Sequence, residues 1–74
     1  RGRLYLVPVE QIDWVEADGD HVKLHIGPHS YRIRETLGGM ERKLDPTRFV
    51  RIHRSTIVQL SQIRELQPFF HGDY

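Results

Sequence analysis

Two short polar stretches carry the residues of this chain best equipped for chemistry: Asp18-Gly19-Asp20-His21-Val22-Lys23 and Arg51-Ile52-His53-Arg54-Ser55. An arginine fork can make two hydrogen bonds to guanine O6 and N7. A histidine can donate to or accept from a base edge, and lysine or serine can hold a phosphate. The same side chains suit polar contacts with another protein, so the residues alone leave nucleic-acid binding and a β-rich protein-interaction or dimerisation module open as equal readings.

Other chemistries fit less well. His21, His25 and His29 recur every four residues, as ligands on one helical face would, but Gly27-Pro28 forbids that helix. On a strand rising roughly 3.3 Å per residue, neighbouring imidazoles would stand about 13 Å apart, too far for one ion. His53 and Ser55 lack the strand-to-helix elbow of a nucleophile, and Gly38-Gly39 is not followed by the Lys-Ser or Lys-Thr pair of a phosphate loop. We therefore expect no catalysis, no metal and no cofactor.

Charge is unevenly spread. Residues 1–31 have a balance of −2 and residues 32–74 a balance of +3, and the stretch 48–64 holds Arg48, Arg51, Arg54 and Arg64 with no acid. A local cluster of this kind can neutralise phosphates even though the net charge of the chain is only +1. The 74 residues, 38% apolar and without cysteine, suit a single small domain in a reducing compartment. No apolar run reaches membrane-spanning length and no signal peptide opens the chain, which reads as a cytoplasmic piece of a longer protein.

These groups must be positioned by strands. Residues 3–7 read as a strand ended by Pro8. The β-rich tract 12–17 leads into an Asp-Gly-Asp turn, and residues 21–26 alternate strictly, with Val22, Leu24 and Ile26 on one face. Gly27-Pro28-His29 turns the chain into a third strand at 30–34. Thr36 can cap the one convincing helix, whose Leu37, Met40 and Leu44 share a face before Asp45-Pro46 closes it. Phe49–Ile52 reads as a strand, with short ones at 56–60 and 63–66. The expected core is Trp14, Val22, Leu24, Ile26, Ile33, Leu37, Phe49 and Ile52. An exposed strand edge near 63–70 would favour self-association, opposed in part by Pro68.

Taken in order, three segments resemble the LytTR DNA-binding family. Ile12-Asp13-Trp14-Val15-Glu16-Ala17 and the polar turn after it match the first family tract, and Arg34-Glu35-Thr36-Leu37 matches a helix start. Phe49, Arg51, His53, Arg54, Ser55, Val58, Gln59 and Ile63 match the family's F-x-R-x-H-R-S signature and its apolar continuation. The resemblance covers residues 4–74 and implies a mainly β fold, an elongated stack of small antiparallel sheets with one short helix. It implies loops placed in successive major grooves of a bent duplex, with His21 and its neighbour Asp20 at a base edge and Arg54 in the second reading loop. Lys23, Arg51 and Ser55 suit phosphate by their chemistry. Gln59 stands where the family often has Asn, and the family pattern runs on past Tyr74 to a closing hairpin with a third contact loop. The implied setting is the output domain of a bacterial regulator with an upstream receiver or sensory domain, double-stranded DNA as partner and a homodimer as one arrangement.

Overall fold

The computed structural model describes residues 8–63. Its elements are a 3-10 turn at Val9–Gln11, strands β1 (Trp14–Asp18), β2 (His21–Ile26) and β3 (His29–Ile33), helix α1 (Leu37–Lys43), strands β4 (Phe49–His53) and β5 (Thr56–Gln59), and a second 3-10 turn at Leu60–Gln62. The strands form one sheet in the order β3-β2-β1-β5-β4, with every neighbouring pair antiparallel. The mainly β architecture with a short helix is the one expected, and the described strands lie in a single sheet rather than a stack. The expected strand at 3–7, the parts of the expected 63–66 strand and 63–70 edge that lie beyond Ile63, and the closing hairpin lie outside the described residues.

Glycine sets both tight hairpins. Asp18 pairs with His21 across Gly19-Asp20, and Ile26 pairs with His29 across Gly27-Pro28. Gly19 and Gly27 have φ of 64° and 57°, while every non-glycine described residue keeps φ negative. A positive φ at the first central residue followed by a negative one fits a type II′ turn, whose twist matches that of the flanking strands.

Helix α1 starts where the Thr36 hydroxyl accepts from the Gly39 N–H at 2.9 Å, satisfying one of the helix's orphan donors. Arg42 and Lys43 occupy its last turn, where cations suit the negative end of the dipole. Leu37, Met40 and Leu44 turn inward onto β1 and β5 and join Ile12, Val15, Val22, Leu24, Phe49 and Ile57 in the core, with Ile26 and Ile33 packed against it.

Two expected core residues sit elsewhere. In a strand of period two, Val15 and Trp14 cannot face the same side. Val15 is buried, and Trp14 is half-buried on the opposite face, stacked on His25 with ring centroids 3.9 Å apart. Ile52 is 58% exposed because it lies three residues beyond the buried Phe49, which a period of two places on the opposite face of the edge strand, and the register shift between Arg51 and His53 leaves it without a cross-strand partner. Ile12, Val15 and Ile57 take the central places instead.

Candidate nucleic-acid interface

The β1–β2 turn presents Asp20 and His21. An ionised carboxylate can only accept, so His21 Nδ1 donates to Asp20 Oδ1 at 2.7 Å. The second ring nitrogen, Nε2, is left for a partner, as an acceptor on a neutral ring and a donor on a charged one. This hydrogen bond, with the nearby imidazole's charge, holds the Asp20 carboxyl below its ordinary range. Two arginines of the β3 end face the same acids. Arg32 Nε donates to Asp18 Oδ2 at 2.8 Å, and Arg34 stands 3.5 Å from Asp20 Oδ2. Lys23 lies further along β2, between Glu16 and Arg32 in register.

The β4–β5 turn is built from its own side chains. Ser55 donates to His53 Nδ1 twice, from its N–H at 3.1 Å and from its hydroxyl at 2.8 Å. Nδ1 is therefore the acceptor, and the proton of the neutral ring sits on Nε2. Arg51 donates from Nε to the His53 carbonyl at 3.3 Å, from Nη2 to the Arg54 carbonyl at 2.6 Å, and from Nη1 to Glu41 Oε1 on α1 at 3.1 Å. Arg54 is exposed. Among the described residues, its guanidinium and the Lys23 ammonium have no hydrogen-bond or ion-pair partner.

The topology brings the two turns together. β1 pairs with β2 on one side and β5 on the other, with Glu16 opposite Thr56, and the Ala17 N–H donates to the Ser55 carbonyl at 2.8 Å. Gly19-Asp20 and Arg54-Ser55 consequently leave the same end of the sheet. His21, Asp20, Arg54 and Ser55 gather there, Lys23 is set back on β2, and Arg51 is committed to the turn backbone. Sequence reasoning passed over Arg32, Arg34 and Glu41. The repeated Asp-Gly-Asp acids could have pointed to the two arginines, since a turn carrying two carboxylates needs cations nearby.

The histidines are engaged separately: His25 Nε2 donates to Glu16 Oε1 at 2.8 Å on the outer face, while His21 is held by Asp20. No cluster of three His, Cys, Asp or Glu side chains suited to a metal occurs among the described residues. No described helix is long and apolar enough to cross a membrane.

The model of the LytTr DNA-binding domain matches residues 2–74. The chain belongs to the LytTR DNA-binding domain family. LytTR relatives include the sensory transduction protein LytT of Bacillus subtilis, 34% identical over 71 residues that make up 96% of this chain and 30% of the relative. LytT of Enterococcus faecalis is 35% identical over 95% of this chain and 29% of its own length. The transcriptional regulatory protein LytR of Staphylococcus aureus is 31% identical over 97% of this chain and 29% of its own. The chain thus spans under a third of the length of these relatives. A LytTr DNA-binding domain from Bacillus cereus superposes with a TM-score of 0.79 at 26% identity, covering 88% of this chain and 60% of that one.

Proposed function

We propose that this LytTR domain is the DNA-binding output module of a bacterial transcription regulator, and that it reads double-stranded DNA with the two turns at one end of its sheet. The observation that carries the reading is the shared position of those turns, joined through the Ala17–Ser55 backbone hydrogen bond. Arg54, exposed and uncommitted, supplies the two-bond contact that suits guanine. His21, oriented by Asp20, reads a base edge from the neighbouring turn, with the second Asp20 oxygen suited to a base amino group. Lys23 suits phosphate, which fixes register without reading sequence, and Ser55 would join it only by giving up the hydroxyl hydrogen bond to His53 Nδ1. The regulator setting comes from the relatives, whose names describe sensory transduction and transcriptional regulation.

The test is selection from a pool of random duplexes, followed by titration of variants on selected and scrambled sites at several salt concentrations. Arg54→Ala and His21→Ala should each cost about 1–3 kcal/mol on the selected site and much less on scrambled duplex. Lys23→Ala should weaken both alike and lower the salt slope by about 0.9. A pool that yields no enriched sequence, or a uniform loss for Arg54→Ala, would refute the assignment.

A further inference from the structure

Arg51 stands where a phosphate contact was expected, yet its guanidinium is spent inside the fold. It reaches two successive turn carbonyls and Glu41 of α1 at once, and its side chain is 32% exposed. We propose that Arg51 is a positioning residue for DNA reading. It holds the backbone of the β4–β5 turn and anchors it through Glu41 to α1, fixing the point from which the Arg54 side chain leaves the fold. The inference rests on the DNA-reading function above.

The need for such an anchor follows from the local structure. The register shift between Arg51 and His53 interrupts the regular ladder just before the turn, and β4 is an edge strand with no neighbour on its far side among the described residues. Ser55 and His53 close the turn on itself and the Ala17 N–H holds the Ser55 carbonyl to β1, but neither contact ties the turn to α1. Arg51 supplies that tie, because α1 is packed onto the core through Leu37, Met40 and Leu44. A planar fork with five N–H groups can serve two carbonyls and a carboxylate together, whereas a lysine is a single point charge. A two-bond contact from Arg54 to one base tolerates little displacement of its backbone, so the anchor acts on selectivity rather than on attraction to the polyanion.

Charge and position make opposite predictions for two variants. Glu41→Gln removes a negative charge, so electrostatics alone would tighten binding to every duplex, while loss of the anchor weakens binding to the selected site. Arg51→Lys keeps the charge and loses the fork. The experiment uses the 74-residue chain, wild type and the two variants, titrated on selected and scrambled duplexes across salt concentrations. Amide hydrogen exchange at residues 53–56 without DNA runs beside it.

The expected result for Arg51→Lys is faster exchange in the turn, a fall of about tenfold in the preference for the selected duplex, and an unchanged salt slope. Tenfold lies within the discrimination of one two-bond base contact. Glu41→Gln should move exchange and preference in the same direction by less. The proposal is overturned if Glu41→Gln binds both duplexes more tightly with its preference intact. It is also overturned if Arg51→Lys matches wild type in exchange and preference, or if its salt slope falls by about 0.9, the mark of a lost phosphate contact. If the wild type shows no preference, the DNA-reading function fails and the positioning role with it. Faster exchange in both variants would then uphold the anchor of the turn alone.

Discussion

Gln59 → Leu should destabilise this domain by about 2 kcal/mol, although the substitution places an apolar side chain in an apolar setting. Gln59 is 8% exposed. Its amide nitrogen donates to the Ile12 carbonyl at 2.6 Å and the Glu10 carbonyl at 3.0 Å, and its oxygen accepts from the Ser61 hydroxyl at 3.0 Å. The two carbonyls belong to the segment leading into β1, so one side chain clamps the start of the described chain to β5. Glu10 is exposed, and water can replace its lost donor, leaving a cost of about 0.5–1.5 kcal/mol. The bond to the Ile12 carbonyl is buried, and stranding that acceptor costs about 1–3 kcal/mol. Burying leucine in place of an amide returns about 1 kcal/mol, which gives the net figure. Gln59 → Asn is shorter by one methylene and should keep one of the two bonds, for a loss of about 1 kcal/mol. The assay is urea unfolding, where a slope of about 1 kcal/mol per M for a chain this small makes the leucine shift roughly 2 M at the midpoint. Amide exchange at 9–12 should quicken in parallel. A leucine variant with an unmoved or raised midpoint would show that these carbonyls do not depend on Gln59.

Gly38 → Ala and Gly39 → Ala should part company, although both glycines lie in the first turn of α1. A methyl at Gly38 meets only Arg42 Nη1 at 3.9 Å and should raise stability by about 0.4–1 kcal/mol. One at Gly39 meets the Glu35 carboxyl and comes within 3.0 Å of Thr36 Oγ1, so equal gains in thermal melting would refute the crowding. Phe49 → Ala, at a site 5% exposed, should cost about 3–5 kcal/mol, and an unmoved melting temperature would remove Phe49 from the core. The Glu35 carboxyl is held below its ordinary value of 4.5 chiefly by the hydrogen bond from Lys43, then by the Thr36 N–H. A depressed folded-state pKa gives stability that is complete above the unfolded value and lost as pH falls through the folded one. Glu35 → Gln should therefore flatten the acid limb of a melting-temperature profile below about pH 4.5, and unchanged steepness there would count against this pair.

Local rules made several features legible. Thr36 with Leu37, Met40 and Leu44 named the helix and its cap, and the glycine turns and the alternation of 21–26 named the hairpins. The F-x-R-x-H-R-S signature brought out the second turn. What failed depended on neighbours distant in sequence. Trp14-Val15 is apolar on both faces, and only the partners of β1 decide that Val15 goes inward. Ile52 reads as core by its type until the burial of Phe49, three residues away, fixes the faces of β4 and puts it on the other side. That the two turns share an end follows from the β1–β5 pairing, which no local pattern encodes. The chemistry of Arg51 is visible in the sequence, whereas its contact with Glu41 of α1 is not.

The two turns differ in how their charge is compensated, and the difference has a kinetic consequence. In the β1–β2 turn, Asp18 and Asp20 are matched by Arg32 and Arg34, so at long range that turn is close to neutral. At the other turn, Arg51 is balanced by Glu41, and Arg54 has no counter-charge among the described residues. A polyanion approaching from beyond the Debye length, about 8 Å in physiological salt, is steered by uncompensated charge alone. On the proposed function, the Arg54 turn makes the first encounter and sets the association rate. The His21 turn docks second and sets how long the complex lasts. Arg54 → Ala should then slow association at low salt and His21 → Ala should mainly speed dissociation, and stopped-flow traces showing the reverse would break this order.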